Sequence, residues 1–341
     1  MKQVFWSSAR QTIRTRRSLV AVVLTTFLVA GCGGGGGSGG GGSPNPAPPS
    51  GGSGLSGAWY YADPHKAVRF DLASRAETEV ALSPNSQTNL GFGGGVLTDV
   101  DEQVFTTAQP NEFTINLRDV APNPFALRSS LPTFPLPRGF VSGPIQPSPD
   151  GTLFAMHTRE SASLSDPILD YLSVFDAALN ITLKIPDYRD PVWLGNDRVV
   201  VVSDDGLFSV TVSTTPAVTR IGPVGLAQPG ALPRQPSLSP DGSTIAFVQG
   251  DIVWRIGVGG SGLAQVTLAK IGQHGPAWSP DGTKLAIIDS DCRPIGGGLP
   301  GGSEVAVVSA SATNQDLNQA PRVMRTIGAP VITCGPLYWL P

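Results

Sequence analysis

The 341-residue chain has few charged, aromatic and metal-binding side chains. Asp, Glu, Lys and Arg make up 14% of the residues and aromatic residues 7%, and there are three histidines and three cysteines. Glycine and proline are abundant, with 42 and 32 copies, so long helices are poorly supported. The composition predicts an all-β, turn-rich protein.

Acidic residues are missing from the first 31 positions, which carry five cations. The rest of the chain has 18 cations against 26 anions, a net charge near −8. A surface of this sign repels phosphate backbones and anionic headgroups. We therefore expect no nucleic acid partner for the folded part.

Long hydrophobic runs are also missing. The apolar stretch at residues 19–30 (LVAVVLTTFLVA) is too short to cross a bilayer core of about 30 Å, and the basic segment before it is typical of a signal peptide. Residues 28–32 (LVAGC) resemble the bacterial lipobox, which implies cleavage between Gly31 and Cys32 and a diacylglycerol and palmitate group on Cys32. The alternative is a structural cysteine beside an ordinary cleavage site. Arg16 and Arg17 leave open whether export uses the general or the twin-arginine route.

Residues 33–54 contain 12 Gly, 4 Ser and 4 Pro among 22 positions, which predicts a disordered tether. The predicted organisation is a lipoprotein signal peptide (1–31), a lipidated Cys32 with its tether (32–54), and a folded domain (55–341). Gly33 replaces the Asp that retains some lipoproteins at the inner membrane. By that resemblance we expect a lipid anchor in the cell envelope, on the periplasmic face of the outer membrane.

The folded part contains an internal repeat. Ser-Pro-Asp-Gly occurs at 239–242 and 279–282, and Pro-Ser-Pro-Asp-Gly at 147–151, each followed by an apolar run. A degenerate copy at Trp193-Leu194 brings the spacings to 46, 45 and 40 residues. This period matches one four-stranded propeller blade.

The repeated tetrapeptide has the chemistry of a hairpin turn. Proline presets φ, aspartate accepts a local backbone hydrogen bond, and glycine takes a positive φ. We interpret these residues as blade turns rather than as a catalytic carboxylate set: Asp150, Gly151, Asp241, Gly242, Asp281 and Gly282.

Fainter copies complete a ring of six blades. The segment from Gly94 and the strand-like 112–117 form a degenerate blade. The chain finishes at 335–341 with one innermost strand, whereas 57–62 resembles a second strand without a first. Joining these ends would close the propeller and leave no free sheet edge.

The element Trp278-Ser279-Pro280-Asp281-Gly282 resembles the WD40-like repeat of TolB-type propellers of bacterial envelopes. The resemblance covers about residues 55–341 and implies a six-bladed β-propeller. It does not fix a function, because the same repeat occurs in scaffolds, in peptidases and in some polysaccharide-active proteins.

Two enzyme motifs occur in the wrong context. Gly-x-Ser-x-Gly at 36–40 lies in the tether, and the dinucleotide-like 257–262 lies between two strand-like runs with no helix to bind a pyrophosphate. The second segment is interpreted as a hairpin turn.

Cys292 and Cys334 would be exported to an oxidising compartment, which favours a disulfide over two free thiols. The three histidines, His65, His157 and His274, are expected in or near loops on the same face of the ring. They are weak candidates for a metal site with Asp63 or Glu160, and we expect solvated loop residues instead.

Two long insertions, 158–170 and 289–304, belong to that face, and they are either binding loops or tolerated drift. The leading hypothesis is a non-enzymatic scaffold that binds an envelope protein or a cell-wall component. The alternative is a hydrolase or lyase acting on sugars or lactones in the channel. A third possibility is a purely structural part of a larger lipoprotein assembly.

Overall fold

The computed structural model shows a propeller of antiparallel sheets within the compact unit Gly51–Pro341. All the regular secondary structure of the described residues is β-strand, and the strands form six sheets. This confirms the all-β, six-bladed prediction. The structure describes residues 55–341 except 64–65, 83–85, 104–110, 121–122, 137–138, 162, 164, 227–230, 271, 290–303 and 324–335.

The blades are numbered in chain order. Blade 1 takes one of its four strands from the other end of the chain. Blade 1 contains β1 (Ala58–Asp63), β2 (Lys66–Asp71) and β3 (Glu77–Ala81). Blade 2 contains β4 (Ser86–Gly93), β5 (Val96–Gln103), β6 (Asn111–Asp119), β7 (Leu127–Ser130) and β8 (Phe134–Leu136). Blade 3 contains β9 (Gly139–Val141), β10 (Gln146–Pro147), β11 (Leu153–Glu160), β12 (Leu169–Asp176) and β13 (Ile181–Pro186).

The remaining blades follow the regular four-stranded order. Blade 4 contains β14 (Arg189–Trp193), β15 (Arg198–Ser203), β16 (Gly206–Thr211) and β17 (Val218–Ile221). Blade 5 contains β18 (Arg234–Leu238), β19 (Thr244–Gln249), β20 (Ile252–Gly257) and β21 (Ala264–Gln265). Blade 6 contains β22 (Gln273–Trp278), β23 (Lys284–Asp289), β24 (Glu304–Ser309) and β25 (Arg322–Val323). The last strand, β26 (Tyr338–Leu340), pairs with β1 as the innermost strand of blade 1.

The extra strands of blades 2 and 3 are interrupted versions of one strand position. β7 and β8 both pair with β6, and β9 and β10 both pair with β11. Each blade therefore keeps four strand positions, as the repeat length predicts.

The core lies between the faces of neighbouring blades. The second strands of blades 4, 5 and 6 have continuous apolar runs, and Val199–Val202, Ile245–Val248 and Leu285–Ile288 are fully buried. Such runs are typical of a strand that is buried on both faces. Each buried Val, Leu, Ile or Phe contributes about 1.5–3 kcal/mol. Hydrophobic burial on both sides of every blade thus accounts for the low charge content.

The Pro-Asp-Gly segments form the turns that join the first and second strands of blades 3, 5 and 6. In blade 6, Ser279 Oγ donates to Asp281 Oδ1 at 2.5 Å, and the Thr283 amide donates to the same oxygen at 3.0 Å. Gly282 has a φ of +70°, a conformation that other residues adopt only with strain. Blades 3 and 5 repeat this arrangement around Asp150 and Asp241.

The insertion expected at 158–170 is shorter than the sequence suggests. β11 extends through Thr158 to Glu160, and β12 begins at Leu169, so the connection is 161–168. The prediction was wrong because the polar residues at 158–160 continue the hairpin, with Thr158 and Arg159 paired to Tyr171 and Asp170.

No helix in the described part of the chain is long and apolar enough to span a membrane.

Candidate binding cavity in the propeller channel

The innermost strands surround a cavity of about 270 Å³. It is contacted by strands or adjoining segments of all six blades. Its wall includes Phe92, Gln146, Asp190, Gln235 and Tyr338, together with backbone and prolines of the innermost strands.

Three consecutive blades line the cavity with related tripeptides, each an arginine or histidine, a variable residue and a proline. Residues 189–191 (Arg-Asp-Pro), 234–236 (Arg-Gln-Pro) and 274–276 (His-Gly-Pro) occupy equivalent positions at the start of β14, β18 and β22. In each strand the register to the second strand shifts across this tripeptide. The innermost strand therefore bulges at the cavity wall in blades 4, 5 and 6.

The central residue of each bulge has a left-handed backbone. Asp190 and Gln235 both have a φ of +49°, and Gly275 has a φ of +50°. A non-glycine residue at such a φ costs about 1–3 kcal/mol. Strained residues of this kind cluster at ligand clamps and functional sites, where the surrounding structure holds them in place. The repetition in adjacent blades indicates that the bulge is a built feature of the channel.

Hydrogen bonds join these bulges from blade to blade. The Gln235 backbone amide donates to Asp190 Oδ2 at 3.1 Å, which links blade 5 to blade 4. The Gly275 amide donates to Gln235 Oε1 at 2.9 Å, which links blade 6 to blade 5. We call Asp190, Gln235 and Gly275 the channel belt. The belt fixes one wall of the cavity by contacts between residues 40 and 45 positions apart.

The opposite wall is held by a bond between two blades that are not neighbours. Gln146 Nε2 of blade 3 donates to the Tyr338 hydroxyl of blade 1 at 2.7 Å. That hydroxyl donates to the Leu90 carbonyl of blade 2 at 3.0 Å. Burial raises the pKa of Tyr338, so the phenol stays protonated at neutral pH. Phe92 packs beside Tyr338, with ring centroids 5.9 Å apart.

The cations nearest to the belt pair with acids of the loop between the second and third strands. Arg189 NH1 contacts Asp204 Oδ1 at 2.9 Å, and Arg234 NH2 contacts Asp251 Oδ1 at 2.9 Å. Both pairs are on the face where the innermost strands begin. Among the described residues lining the cavity, Asp190 is the one charged side chain.

The histidines do not come together at this cavity. His157 is buried in β11, not in a loop as expected, and its Nε2 lies 2.8 Å from Asp170 Oδ1. His274 is in β22 next to the belt but does not line the cavity. Glu160 pairs with Lys184 at 2.7 Å. Within the described ranges no group of three His, Cys, Asp or Glu side chains could hold a metal ion.

Several residues singled out in the sequence lie outside the described residues: Gly31, Cys32, His65, Cys292 and Cys334. The lipidation site, the disulfide and any role of His65 therefore stay predictions. The side chain of Asp63, at the end of β1, is likewise not described.

Sequence reasoning missed Gln146, Asp190, Gln235 and Tyr338. The sequence does carry one signal for this site. A proline stands three residues before the first turn position (194, 239 and 279) in blades 4, 5 and 6. A residue before proline is biased towards extended backbone, which hides the left-handed conformation that the belt adopts.

Comparison with known proteins supports the fold. No family model and no curated protein matches the chain. Among solved structures, TolB from Acinetobacter baumannii is 13% identical with a TM-score of 0.53, over 83% of this chain and 66% of that protein. A TolB protein from Agrobacterium tumefaciens is 14% identical with a TM-score of 0.53, over 85% of this chain and 100% of that one. The chain thus has a TolB-like propeller fold.

Proposed function

We propose that this protein is a lipid-anchored propeller of the periplasm that acts as a scaffold and binds an envelope protein or a cell-wall component. The observation that carries the proposal is the preformed cavity at the channel, whose walls are fixed by hydrogen bonds between blades. A rigid site loses little conformational entropy when a partner binds.

The cavity suits recognition of a small part of a larger partner. A volume of about 270 Å³ is near the lower limit of ligand pockets, which is about 300 Å³. Such a cavity accepts a side chain or a short segment rather than a folded element. The described wall provides amides, a phenol, a carboxylate and an aromatic ring, groups that orient a ligand by hydrogen bonds and packing.

The anchor is supported by the sequence pattern around Cys32. Labelling cells with a palmitate analogue tests it: we expect incorporation into the wild-type chain and none into Cys32→Ser. The variant should also leave the membrane fraction. Equal labelling of both chains, or a wild-type chain that is soluble after fractionation, would contradict the anchor.

Site-specific photo-crosslinking in living cells tests partner binding. Asp204 and Asp197 stand at opposite ends of β15 with side-chain exposures of 81% and 82%, so they sample the two faces of one blade. The strand separates them by about 20 Å. A photoreactive residue at 204 should trap a specific partner, and one at 197 should not.

Failure to trap any partner from 204, or the same bands from both positions, would overturn the scaffold proposal. If the protein were a sugar- or lactone-active enzyme, the purified chain alone would convert such a compound without a partner. That alternative stays a prediction from the sequence.

A further inference from the structure

The cavity has an uneven distribution of charge and aromatic surface. Asp190 lies on the belt side, whereas Phe92 and Tyr338 form part of the opposite side. An occupant between them meets a carboxylate on one side and two aromatic side chains on the other. This combination attracts a cation with an apolar stem, since aromatic faces bind cations and also cover alkyl groups.

The negative charge of Asp190 is not neutralised by the neighbouring cations of the described structure. Arg189 is paired with Asp204, and Arg234 with Asp251, both at 2.9 Å. Asp190 instead accepts a hydrogen bond from the uncharged backbone amide of Gln235. That bond orients the carboxylate and leaves its charge available to a ligand.

The same bond limits the kind of cation that fits. A guanidinium binds a carboxylate best through two parallel bonds, one to each oxygen. Oδ2 of Asp190 already accepts the backbone amide of Gln235, so a fork of two parallel bonds would have to share that oxygen. An ammonium group is a compact point charge that needs no such fork.

We propose that the channel cavity binds a primary ammonium group on an unbranched alkyl stem, supplied by a lysine side chain of the partner protein. Asp190 is the specificity-determining residue, and the backbone amide of Gln235 orients its carboxylate. The proposal rests on the proposed function, since a protein partner provides the lysine.

A peptide titration tests the proposal with the purified full chain in detergent. The probe is a capped Gly-Gly-Lys-Gly-Gly peptide, and its matched control replaces Lys by norleucine, which keeps the stem and removes the charge. Calorimetry or ligand-observed NMR should show at least tenfold weaker binding of the norleucine peptide. Equal binding of the two peptides would overturn the proposal without any variant of the protein.

Two variants test whether the carboxylate of Asp190 is the group that binds the ammonium. Asp190→Asn keeps an acceptor for the Gln235 amide and should weaken binding of the lysine peptide at least tenfold. Asp205→Asn removes the same charge from the exposed turn beside Asp204 and should leave binding within twofold of wild type. Similar losses in both variants would show a diffuse charge effect and would overturn the role of Asp190. Circular dichroism and melting curves establish that both variants fold.

The source of the ammonium group is decided by a competition. If 1,5-diaminopentane displaces the peptide and binds tenfold more tightly, a free diamine is the ligand and the protein lysine is ruled out. Crosslinking from position 204 is independent of these titrations. If a partner is trapped but the titrations show no preference for the lysine peptide, the scaffold function stands and this inference fails. If no partner is trapped, the scaffold function itself fails.

Discussion

At the residue scale, tryptophans link neighbouring strands of the ring through their indole N–H groups. Trp193 Nε1 donates to the Gln146 carbonyl at 2.7 Å, and Trp278 Nε1 donates to the Ser237 carbonyl at 3.0 Å, each reaching the innermost strand of the preceding blade. We expect Trp278→Phe to lower the free energy of unfolding by about 1–3 kcal/mol, because the change leaves a carbonyl without its donor. Urea denaturation followed by circular dichroism measures the loss.

The chain offers a matched control for this substitution. Trp254 Nε1 is buried without a hydrogen-bond partner among the described atoms. Trp254→Phe removes the same atoms as Trp278→Phe but also removes an unsatisfied donor, so we expect a smaller loss or none. Equal destabilisation of the two variants would mean that lost packing, not the hydrogen bond, determines the result.

Residue patterns in the sequence predict the local chemistry of a turn better than they predict contacts between blades. The turn at Asp281 follows from four consecutive residues, and the structure shows that turn. The bond from Gln235 to Asp190 joins residues 45 positions apart in different sheets, and no local pattern encodes it. His157 illustrates the same limit, since its burial depends on how far β11 continues.

At the scale of the element, β5 and β6 carry a buried ion pair inside a sheet whose repeat signature is degenerate. The side chain of Asp99 is 0% exposed and pairs with Arg118. Asn116 Nδ2 also donates to Asp99 at 3.0 Å. Because the removal of one partner leaves a buried charge uncompensated, we expect Arg118→Met to destabilise the fold by about 3–5 kcal/mol. Equilibrium denaturation is the measurement.

An exposed ion pair in the same blade serves as the comparison. Arg128 contacts Asp119 at 2.6 Å, but its side chain is 51% exposed. Arg128→Met should change stability by about 1 kcal/mol or less, since solvent screens surface pairs. If Arg118→Met costs no more than Arg128→Met, the buried pair does not stabilise blade 2.

The turns between first and second strands have a pH dependence of their own. Hydrogen bonds from Ser279 Oγ, the Thr283 amide and Thr283 Oγ lower the pKa of Asp281 to about 2. The unfolded value is about 3.9, so this turn stabilises the fold above about pH 4 and loses that contribution as pH falls towards 2. NMR titration of the Asp281 carboxyl should show the low value in wild type.

Ser279→Ala removes the strongest donor to this carboxylate and should raise the pKa of Asp281 towards its usual value. A titration curve that does not move in Ser279→Ala would show that the serine is not the cause. The sequence predicted these turns from proline, aspartate and glycine, whereas the blade 2 ion pair was not foreseen, because alternating acids in β5 do not reveal which strand faces them.

At the scale of the whole molecule, the repeat spacing and the fainter copies together were sufficient to predict six blades. They were sufficient because every blade buries both faces, so apolar second strands recur in blades 4, 5 and 6, and because the same turn recurs in blades 3, 5 and 6. The contents of the channel vary instead with each blade. The belt is built by blades 4 to 6, while Tyr338 and Gln146 fill the side of blades 1 to 3. The fold therefore follows from the repeat, and the binding cavity follows from the departures from it.

The pairing of β26 with β1 gives a prediction about the stability of the ring. Three register pairs join the strands, and Trp339 meets Trp59 edge to face at 5.9 Å. Deleting residues 338–341 exposes the edge of β1, so we expect a lower melting temperature and self-association on a sizing column. A circular permutant that joins 341 to 56 and opens in the exposed loop 213–217 should stay monomeric, because it keeps this pairing. A truncated chain that melts like wild type would show that the ring does not depend on β26.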